Sequence, residues 1–371
     1  MSTETQNEIN VSEISANLAQ VENEMAKLFD KRLELEKELS DYKKKTGNKL
    51  QFPQTVSEKK SPLEYTQDEE KMSYYSIFKE ATDKIYDSYG DMLLSGLKVA
   101  YGGTEGAYAH LAAKKMFPQA NLISMTDFYE AYENVEKGVC DLAVLPIENS
   151  IAGEVGTVMD LMFRGSLHVN RVCDLEIKHR LIGVKGSDLE KVTTVISHPQ
   201  ALSQCAKYIR KHNLKTETAA NTSAAASEVL KRNDPTVAAI GSKESADNHG
   251  LEILDSSVCS FDSNTTRFAV FSRTPAVHTK SASKSQRFII VFTVRNEAGA
   301  LATTLNIIGA HNYNMLSLRS RPLENLAWKY YFFIEAEGDI HTAEGESMLR
   351  ELSVFCGDLK LVGTYYPDVL L

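Results

Sequence analysis

The chain has 371 residues, of which 43% are apolar and 25% charged, a composition typical of a soluble protein with two or three packed domains. Its net charge of -9 argues against non-specific nucleic-acid binding, because neutralising phosphates requires a basic face. The five cysteines are odd in number and show no C-x-x-C spacing, which indicates free thiols in a reducing compartment rather than a disulfide framework or a zinc site.

The amino-terminal part of the chain is predicted to be all-helical. Its first ten residues lack the basic start and apolar stretch of a signal peptide, and no apolar run approaches the ~18 residues of a membrane span, so we expect a cytoplasmic protein. Apolar residues recur every three, four or seven positions over 11–46, which predicts one long amphipathic helix ended by Gly47. A polar stretch with two prolines follows, and a second helix is predicted over Met72 to Leu94.

From Leu97 onward, short apolar strands alternate with helices. This alternation predicts an α/β domain with mostly parallel strands over 97–275. After a segment of linker composition at 274–285, residues 286–371 follow the β-α-β-β-α-β order of a ferredoxin-like α+β domain. The expected fold class is therefore multidomain, with an all-α segment over 1–95, a central α/β domain and an α+β domain at the carboxyl end.

Four loops that follow predicted strands carry candidate ligand-binding residues, because open α/β sheets bind ligands beyond the carboxyl ends of their strands. They read YGGTEGAYAH, PIENS, SHPQ and NTS. The first lacks G-x-G-x-x-G spacing, so no dinucleotide cofactor is predicted. Each loop also has a structural interpretation as a tight turn or helix cap. Together they offer hydroxyls, amides and helix amino termini without a metal-ligand set, which suits a compact anion with several oxygens.

A fifth polar cluster stands at the mouth of a predicted buried strand. The stretch SNTTRFAVFSR places Thr266 and Arg267 directly before the apolar run Phe268 to Phe271. This cluster is either a polar turn that feeds a sheet or the floor of an active site.

In order and spacing, five motifs resemble those of prephenate dehydratases: GGTEGAYAHLAA, LPIENSIAG, SHPQALSQC, NTSAAA and TTRFAVFSR. The resemblance covers roughly Lys98 to Leu371. It implies a two-lobed central domain, like that of periplasmic binding proteins. It also implies a reaction in which prephenate loses carbon dioxide and its ring hydroxyl to give phenylpyruvate, on the route to phenylalanine, with no metal or organic cofactor.

The resemblance also implies roles for single residues. Thr266 is expected to protonate the departing hydroxyl, and Arg267 either to bind a substrate carboxylate or to fix the loop. The residues expected to contact the substrate by the same analogy are Thr104, Glu105, Ala107, Tyr108, Asn149, Ser150, Ser197, His198, Gln200, Thr222 and Ser223.

The carboxyl-terminal segment resembles an ACT regulatory domain, which implies L-phenylalanine as an effector. The residues expected to bind it are Ala298, Gly299, Ala300, Leu301, Leu318, Ser320, Arg321 and Pro322. Arg319 stands where the family's E-S-R-P motif begins with an acid, so feedback by phenylalanine is expected to be weakened or altered. The alternative is a dimerisation sheet without a ligand, and either case favours a homodimer or homotetramer.

The amino-terminal helices resemble an all-helical chorismate mutase, the usual fusion partner of this enzyme. Arg32 and Lys43 fall where that family carries cations for its substrate. Ser15 replaces an expected arginine, QFPQTVSEKK lacks the D-x-x-R-E pattern, and Ile85 and Tyr89 replace polar side chains. Because a mutase orients its substrate electrostatically, we expect a vestigial or very weak mutase. A fully bifunctional enzyme stays open as an alternative.

Two further function classes compete with a dehydratase. A two-lobed domain joined to an ACT-like segment also suits a non-catalytic amino-acid sensor, although Thr266 with Arg267 favours the enzyme. A nicotinamide-dependent dehydrogenase is disfavoured by the missing G-x-G-x-x-G loop.

Overall fold

The computed structural model describes residues 11–46, 68–261, 263–276, 285–323 and 329–370. The chain divides into two compact units, Met1–Leu97 and Lys98–Leu371. Three predicted features lie outside the described residues: Gly47, the QFPQTVSEKK stretch, and residues 277–284 of the predicted linker at 274–285.

The first unit contains helices α1 (Val11–Thr46) and α2 (Glu69–Ser95), which confirms both predicted helices within three residues at their ends. The two helices touch through the rings of Phe29 and Tyr86, whose centroids lie 6.0 Å apart. Other apolar side chains of α1 stay exposed, including Leu28 at 69%. No helix in the described part of the chain combines the length and hydrophobicity needed to cross a membrane.

The second unit begins with two lobes. Lobe 1 contains β1 (Lys98–Gly102), α3 (Tyr108–Met116), β2 (Asn121–Met125), α4 (Phe128–Glu136), β3 (Leu142–Asn149), β4 (Gly153–Glu154), α5 (Gly156–Arg164) and β5 (His168–Glu176). Lobe 2 contains β6 (Arg180–Gly183), β7 (Thr194–Ser197), α6 (Pro199–Gln204), α7 (Ala206–Lys211), β8 (Lys215–Thr218), α8 (Thr222–Arg232), β9 (Val237–Gly241), α9 (Lys243–His249) and β10 (Glu252–Asp255). The chain then returns to lobe 1 as β11 (Thr265–Ser272).

The sheet of each lobe mixes parallel and antiparallel pairs, so the expectation of mostly parallel strands was wrong for part of the domain. In lobe 1, β1 pairs in parallel with β2 and β3, but β11 lies antiparallel between β3 and β5. In lobe 2, β7 is parallel to β8 and β9, and β6 is antiparallel to β9 and β10. The antiparallel pairs arise where the chain crosses between lobes, because a returning strand enters its sheet from the opposite end.

The carboxyl-terminal segment adds β12 (Arg287–Thr293), α10 (Ala300–Ala310), β13 (Asn314–Pro322), β14 (Tyr330–Glu337), α11 (Ala343–Phe355), β15 (Lys360–Tyr365) and β16 (Pro367–Leu370). Its first six elements follow the predicted β-α-β-β-α-β order, with strand order β13-β14-β12-β15. One face of this sheet packs on α10 and α11. The other face joins the core of lobe 1 through Ile289, Val291 and Phe333.

Local sequence signals place the elements around the space between the lobes. Asn221 caps α8 by accepting a hydrogen bond from the Ala224 backbone N–H at 2.8 Å, and α8 ends at Asn233 in the left-handed conformation. The central strand β9 is buried along its whole length. The amino ends of α3 and α8 therefore sit at strand ends that face the opposite lobe.

Candidate active site

A cleft of about 380 Å³ lies between the two lobes. Its lining consists of Gly102, Ala107, Tyr108, Ala109, Phe128, Pro146, Asn149, Val155, Ile177, His179, His198, Gln200, Ala201, Gln204, Ala220, Asn221, Thr222, Thr266 and Phe268. Seven of the residues expected from the sequence are thus brought together: Ala107, Tyr108, Asn149, His198, Gln200, Thr222 and Thr266.

Several other expected contact residues connect the protein to itself instead of lining the cleft. Thr104 donates to Asn221 Oδ1 at 3.2 Å, and Ser223 donates to the carbonyl of Glu105, so both pairs join one lobe to the other. Ser150 Oγ accepts from the Thr265 backbone N–H at 3.0 Å and fixes the start of β11. These side chains shape the cleft without facing it.

Ser197 also lies outside the cleft. It is fully buried, and its hydroxyl donates to the Ile240 carbonyl at 2.6 Å. The cap of α6 is His198, which accepts from the Gln200 backbone N–H at 3.3 Å, so the helix-cap interpretation of the SHPQ loop applies to His198 and not to Ser197.

Arg267 points away from the cleft, and of its two expected roles its contacts favour fixing the loop over binding a substrate carboxylate. Successive side chains of a strand face opposite sides of the sheet, so Thr266 and Arg267 cannot share one face. Arg267 makes two hydrogen bonds to the carboxylate of Glu335, at 2.7 and 2.9 Å, and a third to the Tyr365 hydroxyl at 2.8 Å. Arginine often binds a carboxylate through two parallel hydrogen bonds. Arg267 does so here, but the carboxylate is that of Glu335 on β14 and not one of a substrate.

Thr266 is held from the neighbouring strand by Asn149. The two residues are paired across β11 and β3, and Asn149 Nδ2 donates to Thr266 Oγ1 at 2.9 Å. Asn149 Oδ1 accepts from the backbone N–H groups of Ile151 at 3.1 Å and Ala152 at 2.9 Å, which fixes the direction of the amide. Thr266 Oγ1 therefore accepts from Asn149, which leaves its own hydrogen available to donate.

Three polar residues of this region were missed by the sequence reasoning: His179, Gln204 and Asn264. All three are buried, at 4%, 4% and 3% exposure. Gln204 Oε1 lies 2.8 Å from His179 Nε2 and accepts from Asn264 Nδ2 at 3.0 Å, and Gln204 Nε2 donates to Asn149. One signal was available for Gln204, because it stands four residues after Gln200 and shares its helix face.

The cleft carries several polar side chains on a largely apolar lining, but no charged ones. Among the described residues that line it, none is a lysine, arginine, aspartate or glutamate. Burial lowers the pKa of both His179 and His198 below the ordinary 6.5, so both rings are neutral near pH 7. Burial raises the pKa of Tyr108 well above 10, which keeps its hydroxyl protonated. Positive potential in the cleft thus comes from helix amino termini, at α3 and α8.

Comparisons with known proteins agree with this geometry. A family model described as prephenate dehydratase matches residues 99–276. A protein of Enterobacter agglomerans named bifunctional chorismate mutase/prephenate dehydratase is 32% identical over 274 residues, which cover 72% of this chain and 70% of that one. The chain belongs to the prephenate dehydratase family. Within it, an Arabidopsis thaliana protein named arogenate dehydratase/prephenate dehydratase 2 is 31% identical, over 75% of this chain and 74% of its own.

Solved structures of similar proteins share the fold. The prephenate dehydratase of Arthrobacter aurescens, solved in complex with L-Phe, matches with a TM-score of 0.67 and 26% identity, over 72% of this chain and 90% of its own. A protein whose structure is titled "GqqA- a novel type of quorum quenching acylases" matches with a TM-score of 0.66 and 30% identity, over 73% of this chain and 98% of its own.

The residues expected to bind phenylalanine are spread over two faces of the carboxyl-terminal segment. Gly299 caps α10 in the left-handed conformation, at φ 84°, and the helix begins with Ala300 and Leu301. Ala298, directly before Gly299, is exposed. On β13, Leu318, Ser320 and Pro322 are exposed, and Arg321 points to the other side. Arg321 bonds to Glu154 at 3.0 Å and to both oxygens of Asp160 at 3.1 and 3.0 Å. Its guanidinium is thus already occupied by carboxylates of lobe 1.

The residues that resemble a chorismate mutase lie on α1. Arg32 is paired with Glu36 at 3.4 Å and stacks over the Tyr86 ring, with 3.9 Å from its guanidinium carbon to the ring centroid. Lys43 belongs to the same helix. Ser15 and Ile85 are exposed.

Proposed function

We propose that the cleft converts prephenate to phenylpyruvate, with Thr266 as the proton donor to the departing hydroxyl. The observation that carries this proposal is the hydrogen bond from Asn149 Nδ2 to Thr266 Oγ1. Because the threonine oxygen accepts this bond, its hydrogen is free to be donated, and Thr266 lines the cleft at the base of β11. A rigid strand holds such a donor in a fixed direction.

The reaction requires little of the protein beyond holding the substrate and the proton donor in position. The bond between the ring and its carboxylate breaks to release carbon dioxide, and its electron pair enters the ring. The carbon–oxygen bond on the opposite side of the ring then breaks, and the hydroxide leaves as water with the hydrogen of Thr266. The proton that Thr266 loses is restored from solvent, so the reaction consumes one proton, and aromatisation supplies the driving force.

The amino ends of α3 and α8 support the binding of a substrate with two carboxylates. Ala107 precedes α3 without a side-chain cap, so the first N–H groups of this helix are open to an anion. Ala107, Tyr108 and Ala109 line the cleft on this side, and Asn221 and Thr222 line it at the start of α8. Neutral N–H groups aligned with a helix axis bind carboxylates without a buried lysine or arginine.

A non-catalytic amino-acid sensor and an acylase are less well supported by the cleft. A sensor has no need of a hydroxyl whose hydrogen is directed into the cleft by a buried amide. An acylase needs a nucleophile activated by an adjacent base. The described contact of Thr266 Oγ1 in the cleft is the amide nitrogen of Asn149, which donates a proton and cannot remove one.

We further propose three domains: a chorismate-mutase-like segment over 1–95 with little or no activity, a catalytic domain over 97–275, and an ACT regulatory domain over 286–371. The L-Phe complex of the Arthrobacter aurescens relative supports phenylalanine as the effector. Arg319 pairs with Glu148 of lobe 1, so its charge is used within the chain. We also propose that the protein is a cytoplasmic homodimer or homotetramer.

A single comparison of two neighbouring threonines tests the catalytic role. Thr266→Ala removes the donor, and Thr265→Ala alters a side chain on the other face of the same strand. With prephenate as substrate and phenylpyruvate as the measured product, Thr266→Ala is expected to lose at least about a hundredfold in kcat, within the usual range for a general acid. A loss below about tenfold, or ~1.4 kcal/mol, would show that Thr266 does not protonate the leaving group.

The same assay separates the remaining alternatives. Supplying chorismate, prephenate and arogenate separately shows which of them the protein turns over. Product from prephenate and none from chorismate would fit a vestigial mutase. Added L-phenylalanine then shows whether the effector acts in spite of Arg319.

A further inference from the structure

The buried amides next to Thr266 form a chain of hydrogen bonds with one consistent direction. At one end, Asn149 Oδ1 accepts two backbone N–H groups, so its nitrogen must face Thr266. The same oxygen accepts from Gln204 Nε2 at 3.3 Å, which requires the oxygen of Gln204 to face the other way. Asn149 Nδ2 also donates to Asn264 Oδ1 at 2.7 Å, so Asn149, Gln204 and Asn264 orient one another, and Gln204 depends on the donors that reach its oxygen.

His179 stands at the far end of this chain. Gln204 Oε1 is a pure acceptor, so the 2.8 Å contact assigns the ring hydrogen of His179 to Nε2. The other nitrogen, Nδ1, is then an acceptor and receives the Tyr108 hydroxyl at 3.1 Å. Asn264 Nδ2 supplies the second donor to Gln204 Oε1 at 3.0 Å. The neutral, Nε2-protonated ring satisfies all of these contacts at once.

We propose that His179 is a positioning residue of the dehydratase, which acts through Gln204 and Asn149 to keep the hydrogen of Thr266 directed at the substrate. This inference rests on the proposed function. Without the Nε2–H donor, a rotated Gln204 would place its oxygen against Asn149 Oδ1, and two acceptors repel. Because two backbone N–H groups hold Asn149 Oδ1 in place, the repulsion would displace the Asn149 amide without turning it, and the hydrogen bond that orients Thr266 would weaken.

Matched substitutions at His179 separate its donor from its volume. His179→Leu removes the N–H donor, and His179→Gln retains an N–H that can reach Gln204 Oε1. For His179→Leu we expect kcat for prephenate to fall by about 10- to 100-fold, less than the full contribution of a general acid, with KM changed by less than about threefold. His179→Gln is expected to recover most of this loss. Thermal unfolding of each variant checks that the protein is folded.

A double-mutant cycle with Thr266→Ala measures the coupling between His179 and Thr266, which a purely structural role of His179 would not produce. If His179 acts through Thr266, then His179→Leu lowers kcat in the otherwise wild-type enzyme but changes it by less than about twofold when Thr266 is already alanine. Should His179→Leu not fold, His179→Phe takes its place in the cycle, since it retains an aromatic ring without the donor.

The outcomes distinguish this inference from the proposed function. Near-wild-type turnover by Thr266→Ala alone overturns the proposed function and the role of His179 with it. A loss in Thr266→Ala combined with an undiminished His179→Leu variant overturns the role of His179 only. Equal losses from His179→Leu in both backgrounds do the same, because they place its effect outside the chain that leads to Thr266.

Discussion

The two faces of β11 differ in the kind of polar group that they bury. On one face, Thr266 joins the neutral amides of Asn149, Gln204 and Asn264 beside the cleft. On the other face, Arg267 joins Glu335 in a network of ionised groups between lobe 1 and the carboxyl-terminal sheet. We call this network the charged interface; its members are Glu148, Glu154, Asp160, Arg267, Arg287, Arg319, Arg321 and Glu335.

The difference shows how one strand serves chemistry and assembly at the same time. Burial alone would raise the pKa of Glu335, but the hydrogen bonds and charge of Arg267 lower it overall, so the pair stays ionised. Ionised partners bind the carboxyl-terminal sheet to lobe 1. A dianionic substrate, by contrast, would compete with any buried carboxylate for such cations, and a neutral network avoids that competition.

Removing the amide that holds Thr266 is expected to have the largest effect. Asn149→Ala leaves Thr266 Oγ1 and two backbone N–H groups without their partner, so kcat should fall by at least about a hundredfold. The matched control is Asn170→Ala, because Asn170 bonds to Ser272 and the Thr274 carbonyl away from the cleft. The two faces would not be distinct in function if both variants lost turnover equally.

Breaking the charged interface is expected to lower stability rather than turnover. Glu335→Gln removes the nearest of the ionised partners of Arg267, in a site where Glu335 is 2% exposed. The free energy of unfolding, measured in urea, should fall by about 3 kcal/mol, and kcat should stay within about threefold. Glu337→Gln on the same strand serves as the control. A large loss of kcat in folded Glu335→Gln would give Arg267 a direct catalytic role.

Reversing the charge of Arg319 tests the edge of the interface. Arg319→Glu restores the acid usual in the family motif but sets it against Glu148, which Arg319 now contacts at 2.5 Å. Because about a third of the Arg319 side chain is exposed, solvent screens the pair, and we expect a loss of about 1 kcal/mol that shrinks in high salt. A stability loss independent of salt would mean that packing, and not charge, decides this position.

The smallest effect is expected from the pH dependence of His311. Its ring contacts Glu351 at 3.0 Å and Glu344 at 2.6 Å, and these hydrogen bonds raise the pKa of His311. A raised folded-state pKa stabilises the protein fully below the ordinary value near 6.5, and the stabilisation is lost as the pH rises through the raised value. The melting temperature of His311→Gln should therefore fall below wild type at pH 5.5 and match it at pH 9. A difference that grows with pH would reverse this assignment.

Much of the fold follows from patterns that can be read along the chain. The long helix, the alternation of strands and helices, and the β-α-β-β-α-β order were all predicted, because each depends on local periodicity. Strand β5 was missed because His168–Glu176 mixes polar and apolar residues, and its burial comes from neighbours on both sides. Strand β11 was predicted, but its antiparallel direction was not, because that direction depends on a crossing between lobes.

The candidate site was predictable only in part, for a similar reason. Motif spacing identified Thr266 and Asn149, and strand alternation places Arg267 on the opposite face from Thr266, but the sequence could not identify Glu335 as the partner of Arg267. Likewise, the sequence places Ser197 where a helix cap is common, but its hydroxyl donates to the Ile240 carbonyl of β9. Partners distant in sequence decided both positions.

Proton donation by Thr266 is tested most directly by the turnover of prephenate by Thr266→Val compared with Thr266→Ser. Valine keeps the shape of threonine and suits a strand, but it has no hydroxyl; serine keeps the hydroxyl and loses a methyl group. If Thr266 protonates the leaving group, Thr266→Val should lose at least about a hundredfold in kcat, and Thr266→Ser should stay within about tenfold of wild type. A Thr266→Val enzyme that retains more than about a tenth of wild-type turnover would contradict this role of Thr266.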